Sequence, residues 1–323
     1  QLAQAEDDGE AIKRSLLVSL KSPRFLYPSL DGDRSESQRV ANRLALILFD
    51  SLPSDSWLIK QAEKDQLQQA KQIEQAAWKM VNDFRTRGKV RSLLYNWFDL
   101  AEVDEVTKDH ELYPGFDADL VSDLNSSFDS FVESIVWSEA SDFRQLLQAD
   151  WAMTNSRLAD FYGAAWNPNE DAAANDEESE TSKRLLRSVN DSQVHVGALT
   201  HPLLMSRLSY HRTSSPIHRG VFLTRYTLGR VLRPPNAAFT PLNPDLHPGL
   251  TTRQRVELQT GETNCQVCHQ KINSLGFALE GFDATGRFRE MEKDVPINTS
   301  GSYVTRVGET ADVVALFGHV GAH

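Results

Sequence analysis

Leu120, Leu124, Phe128, Phe131 and Ile135 recur at intervals of four, four, three and four. On a helix of 3.6 residues per turn they fall on one stripe, and on a strand they would scatter over both faces. A stripe this bulky must be buried against other elements, which commits the chain to packed layers of helix. Asp117, after the breaker Pro114-Gly115, is the expected N-cap. Val40, Leu44, Ile47 and Leu48 make a second stripe, and Ala70, Ile73, Ala77, Met80, Val81 and Phe84 a third. Val90, Leu93, Leu94, Trp97 and Phe98 follow Gly88, which is read as the stop of the preceding helix. These stripes are core rather than a cofactor box, and together they make an α-helical domain.

At 323 residues the chain is long enough for about two domains. The composition shifts at Asn167-Pro168-Asn169-Glu170-Asp171, and Asn175 to Glu180 is strongly acidic. Low hydrophobicity and like charge favour a solvated linker there. The expected domains are therefore 1–166, helical, and 184–323, separated by an acidic linker at 167–183. A net charge of −11 argues against nucleic acid, whose phosphates call for clustered Lys and Arg. No apolar run approaches the roughly 18 residues of a membrane span, the longest being Leu44 to Phe49. Asp31-Gly32-Asp33 resembles the start of a calcium loop but leads to no terminal Glu, so it is read as a turn. Ser214 and Ser215 sit in no nucleophile elbow, and no phosphate-binding glycine loop is present.

The second half carries the chemistry. Cys265-Gln266-Val267-Cys268-His269 is C-x-x-C-H, the attachment signature of haem c, and it uses both cysteines of the chain. Two thiols can add to the haem vinyl groups, and the adjacent imidazole can bind the iron. A redox C-x-x-C would need no histidine, and a structural zinc would need four ligands that the neighbourhood does not offer. A simple disulfide stays open, although it leaves His269 without a task. Thr251 or Thr252 is expected to cap a helix through Val256 and Leu258, Gly261 to end it, and Asn264 to cap the helix that carries the motif. Leu185 to Val196 reads as a short strand or irregular segment, and Pro216 to Arg230 as helix. Pro234, Pro235, Pro241, Pro244 and Pro248 impose an extended connection. After the motif, Gly276, Gly281 and Gly286 punctuate a loop whose Phe277, Leu279, Phe282 and Phe288 either cover a haem edge or enter the core.

Several further blocks stand out: Ser22-Pro23-Arg24-Phe25-Leu26-Tyr27, Arg39 to Leu44, Tyr95 to Leu100, Phe131 to Val136 and Asn155 to Gly163 in the first half, and Thr213-Ser214-Ser215-Pro216-Ile217-His218-Arg219-Gly220 and Leu275 to Arg287 in the second. Together they resemble the large planctomycete-type cytochrome c-like proteins, which are exported and multidomain. The resemblance implies an internal portion of a longer protein, with further domains before Leu16 and beyond Gly321-Ala322-His323. No signal peptide is visible at Gln1 to Glu6, so a periplasmic or otherwise extracytoplasmic location is expected from the motif alone.

The fold class expected is mainly α, an N-terminal amphipathic helical domain followed by a loop-rich helical cytochrome c-like domain. One covalent haem c is expected, tethered by Cys265 and Cys268, with His269 as the metal ligand. Across the iron, the candidates are Met291, His201, Met205, His211, His218, His247 or a residue outside this chain, and the choice separates electron transfer from ligand chemistry. Arg219 and Arg287 could pair with haem propionates or be structural. The leading reading is an electron-transfer protein with a redox partner protein. The alternatives are a haem oxidoreductase or peroxidase-like enzyme with an open distal site, and a haem-bearing subunit of a larger exported or membrane-attached complex.

Overall fold

The computed structural model describes residues 7–27, 34–101, 106–169, 185–189, 197–232, 246–305 and 307–312. The Asp31-Gly32-Asp33 turn, the acidic run from Glu170, the prolines from 234 to 244 and the C-terminal Gly321-Ala322-His323 lie outside them. The fold is mainly α, with short strands only. No described helix is long and apolar enough to cross a membrane.

The chain divides into two compact units, residues 1–94 and 95–323. The first contains α1 (Asp8–Leu20), α2 (Pro23–Leu26), α3 (Glu36–Phe49), α4 (Ser56–Glu63) and α5 (Ala70–Val81), with α6 (Phe84–Trp97) running across the division. A reciprocal cap starts α3: the Ser35 hydroxyl accepts from the Gln38 N–H at 3.3 Å, and the Gln38 side chain accepts from the Ser35 N–H at 3.1 Å. The core of this unit joins Ala41, Ala45 and Phe49 of α3 to Leu58 and Ala62 of α4, Leu67, and Ala76 and Met80 of α5. The buried line of α3 is thus Ser37-Ala41-Ala45-Phe49. Val40, Leu44 and Leu48 flank it, and Ile47, expected on the core face, is 65% exposed. Small residues win the centre because they let α4 approach closely, and Ser37 accepts the Leu67 N–H at 3.2 Å.

The helix break also falls elsewhere than expected. α5 stops at Val81, and Asp83 takes over, accepting from the Arg85 N–H at 2.9 Å and pairing with its guanidinium, which also bridges to Asp55. Gly88 lies inside α6 rather than ending a helix, and Phe84, assigned to the preceding stripe, starts α6 largely exposed.

The second unit is built on α7 (Ala118–Val136). Asp117 caps it as expected, accepting from the Leu120 N–H at 2.9 Å. All five stripe residues are buried, together with Val132 and Val136. Fully burying five such side chains is worth on the order of 10 kcal/mol, comparable to the whole net stability of a domain. The stripe is covered partly by local chain and partly by residues far along the sequence. Phe128 meets Tyr95 and Phe98 edge-on, and both Phe128 and Phe131 contact the His201 ring. After α7 come α8 (Gln145–Gln148), β1 (Met153–Thr154) and α9 (Ser156–Tyr162). Beyond the acidic stretch β2 (Leu186–Arg187) pairs antiparallel with β1, Met153 opposite Arg187 and Thr154 opposite Leu186. Residues 95–166 therefore share a compact unit with the segment after the acidic stretch, whereas the sequence reading grouped them with residues 1–94. The reason is the apolar stripe of α7, which finds part of its cover in α10 (Pro202–Arg207) and the turn before it.

The remaining elements frame the motif. α11 (Pro216–Phe222) continues into a π-turn, Leu223–Thr227, closed by the Leu228 N–H donating to the Leu223 carbonyl at 2.9 Å. α12 (Thr252–Gln259) is capped by Thr251 with Gln254 in a reciprocal box. α13 (Thr263–Phe277) follows after Thr260 and Gly261, and among the described residues two small antiparallel pairings come after it, β3 (Met291–Glu292) with β4 (Val295–Pro296) and β5 (Ser302–Val304) with β6 (Thr310–Asp312).

Candidate functional site

Cys265, Cys268 and His269 all lie in the first half of α13, at helix spacings of three and four that bring them to one side. Glu262 is the N-cap, so Asn264 sits within the first turn instead of before it. Both thiols are free, Cys265 half-buried and Cys268 exposed, and no disulfide joins them. His269 is half-buried. Its Nδ1 lies 2.9 Å from Asn273 Oδ1, Asn273 Nδ2 donates to Thr260 Oγ1 at 3.0 Å, and the Thr260 hydroxyl donates to the Val256 carbonyl at 2.7 Å. Neither Asn273 nor Thr260 stood out in the sequence. Asn273 carries a usable signal, an amide one helical turn after the histidine, whereas Thr260 joins only because α12 ends where it does.

The side of α13 that carries the motif turns into core in the second half of the helix. Ile272, Leu275 and Gly276 are buried, and α11 crosses there. A Cβ on Gly276 would overlap the Pro216 carbonyl, and one on Gly220 would overlap the Ile272 carbonyl, so backbones meet at both glycines. This pairing runs antiparallel, and it carries the π-turn toward the half of α13 that holds the motif, against which it also packs. Gly276 is therefore helical, one turn beyond Ile272, rather than the first punctuation of a loop. Phe277, Leu279 and Phe282 enter the core, and Phe288 is half-buried.

Arg219 holds the chain that leaves α13. Fully buried, it donates to the carbonyls of Leu279 and Phe282 at 2.7 Å and of Asp283 at 2.8 Å, to Ser209 Oγ at 3.0 Å and to Glu280 at 3.1 Å. Burial pushes the Glu280 carboxyl up, while Arg219, Arg289 and the Ser214 hydroxyl at 2.7 Å pull it back toward its charged form. Arg287 lies over the Phe161 ring and donates to the Phe161 carbonyl at 2.9 Å. Both arginines make structural contacts, and Arg219, fully buried, has no face left for a propionate.

The candidates for the far side of an iron are dispersed. His201 is buried, its Nδ1 accepting from the Leu203 N–H at 3.2 Å and its Nε2 lying 3.1 Å from Ser127 Oγ, so both nitrogens are occupied. Met205 is fully buried in α10. Met291 is half-exposed on β3, His211 is exposed, the His218 ring meets Tyr210 at a tilt, and His247 is half-buried before Pro248. A cleft of about 700 Å³ beside α7, with Lys108, His110, Asp117 and Asp129 in its lining, includes none of the motif residues. In the half of α13 that carries the motif, Gln266, Cys268 and Gln270 are exposed, while Cys265 and His269 are half-buried.

The donor set fits haem c. It offers two free thiols with solvent access and one imidazole whose Nδ1 is engaged, while Nε2 makes no hydrogen bond among the described residues. No cluster of three or more metal-binding side chains stands among the described residues. Residues 36–164 match the family model described as PSD4, a protein of unknown function (DUF1592). Residues 195–292, which include Cys265 to His269, match the one described as PSCyt3, a protein of unknown function (DUF1588). The chain is thus similar to two planctomycete cytochrome c-like families. No curated protein and no solved structure matches it.

Proposed function

We propose, from the similarity to two cytochrome c-like families, that the chain is an exported c-type cytochrome carrying one covalent haem and passing electrons to a partner protein. The observation that carries this reading is the first half of α13, where two unpaired thiols and a histidine with an uncommitted Nε2 share one side. Cys265 and Cys268 would form the thioethers and His269 would hold the iron. A haem so held supplies one-electron exchange between Fe(III) and Fe(II). The protein's own part is to fix the tethers on a helix whose second half is locked to α11 along the same side and whose exit is gripped by Arg219. A periplasmic location follows from covalent haem attachment, and a redox partner, free or within a larger exported assembly, follows from the electron-carrying role.

The test is the mass of the denatured protein after expression with a haem c maturation system. One covalent haem is expected, lost in the Cys265→Ser, Cys268→Ser double variant. A denatured wild-type mass equal to the bare polypeptide would sink the proposal. Spectra with and without cyanide then separate the roles: an iron that ignores added ligand fits electron transfer, and one that binds it readily favours the enzyme.

A further inference from the structure

We propose that Asn273 is a positioning residue that holds His269 as its Nδ1–H tautomer and so presents the Nε2 lone pair to a metal. The Nε2–metal part rests on the haem reading above, while the tautomer part stands on the apoprotein. The argument starts at the far end of the relay. A backbone carbonyl has no proton, so the 2.7 Å contact between Thr260 Oγ1 and the Val256 carbonyl uses the single proton of the Thr260 hydroxyl. Thr260 Oγ1 can then only accept along its contact with Asn273, at 3.0 Å, and the group that meets it must be the amide NH2. That fixes which way round the Asn273 amide sits, a choice the hydrogen-bond network has to make for any asparagine. Its Oδ1 is left facing His269 Nδ1 at 2.9 Å, and an amide oxygen only accepts. Nδ1 must therefore carry the proton, and the neutral ring keeps its lone pair on Nε2.

The relay does more than choose a tautomer. Asn273 is one helical turn from His269, whereas Thr260 ends the preceding helix, so the ring plane is referenced to both helices at once. A partner on the second nitrogen is how proteins usually orient a metal-binding imidazole, and changing such a partner typically alters metal affinity or activity 10- to 100-fold. Here the partner is a neutral amide, which withholds the extra electron density that a carboxylate in its place would push into the ring.

The experiment is 15N NMR of apoprotein labelled at its histidines, above the pH at which they titrate, with the His269 signals identified by their absence in His269→Gln. The wild type should show the Nδ1–H form. Asn273→Leu, close in size but without an acceptor, should move His269 toward the Nε2–H form. Asn273→Asp should restore Nδ1–H, a rescue that a packing role alone would not give. If the leucine variant does not fold, Thr260→Val reads the same relay by freeing the Asn273 amide to turn, with partial loss of the Nδ1–H form. A wild-type Nε2–H tautomer, or a tautomer indifferent to both the leucine and the valine changes, would overturn the proposal.

In the haem-loaded protein Asn273→Asp should lower the midpoint potential, a tenfold change in the reduction equilibrium corresponding to about 59 mV for one electron. An unchanged potential would overturn the tuning. Absence of covalent haem with the tautomer results intact would fail the cytochrome reading and leave the positioning role standing.

Discussion

Lys108 shows how one buried charge is accommodated. It is 3% exposed, and its ammonium donates to the carbonyls of Ser206 at 2.9 Å and Tyr210 at 3.0 Å, at and just beyond the C-terminal end of α10. A cation suits the negative end of a helix, but burial is the larger influence and draws its pKa down to about 8, with Arg219 adding to the effect. The unfolded chain keeps the ordinary lysine pKa of about 10.4. Between these two values the unfolded state holds a proton that the folded state has released, so stability rises with pH through that window. The rise should amount to about 3 kcal/mol, complete near pH 10.5 and absent below about pH 8. Urea unfolding of wild type and Lys108→Met at pH 7.5 and 10 checks this, since the variant should lack the difference. The same scale shows what the sequence could disclose. Cys265, Cys268 and His269 were legible because a motif of adjacent residues needs no fold to be seen. Lys108, Arg219 and Thr260 were not, because their partners are main-chain oxygens or residues brought near only by helix ends.

At the scale of elements, period gave the existence of helices correctly and their facing less well. The stripe of α7 was legible outright: large side chains at helical spacing have one physical solution. α3 was misread in facing, because Ala41, Ala45 and Ser37 carry little hydrophobic signal yet occupy the tightest contact. Glycine was the other source of error, since its two uses look alike in sequence. Gly88 stands in α6 with nothing within 4 Å of where a Cβ would be, so Gly88→Ala should stabilise the protein by about 1 kcal/mol. Gly276 stands where α13 touches the Pro216 carbonyl, and Gly276→Ala must force α11 and α13 apart. Its cost should exceed about 3 kcal/mol, within the range of severe overpacking. Thermal melts of the two variants, expected to shift in opposite directions, test the contrast. A Gly276→Ala protein that melts like wild type would mean the two backbones do not meet.

For the molecule as a whole, the grouping of residues 95–323 has a direct experimental form. The His201 ring contacts Phe128, Phe131 and Trp166, Tyr162 donates to the Thr285 carbonyl at 2.9 Å, and Arg287 reaches the Phe161 carbonyl. A fragment starting at Phe84, which keeps α6 whole, should therefore unfold cooperatively in urea. One spanning 184–323 should not, because the aromatic cover of His201 and the capping ammonium of Lys108 are both gone. Cooperative unfolding of the shorter fragment would contradict the grouping. The two family matches, 36–164 and 195–292, break across the acidic stretch, so units of sequence similarity and units of packing need not coincide in this chain. Arg219 carries a consequence for how such a chain can vary. Its guanidinium grips the main-chain oxygens of Leu279, Phe282 and Asp283, and a carbonyl is the same whichever side chain stands beside it. The hold on the exit of α13 is thus written into a single codon, and the residues it restrains are free of that constraint. Lysine cannot take its place, because one ammonium lacks the planar fork that reaches five acceptors at once.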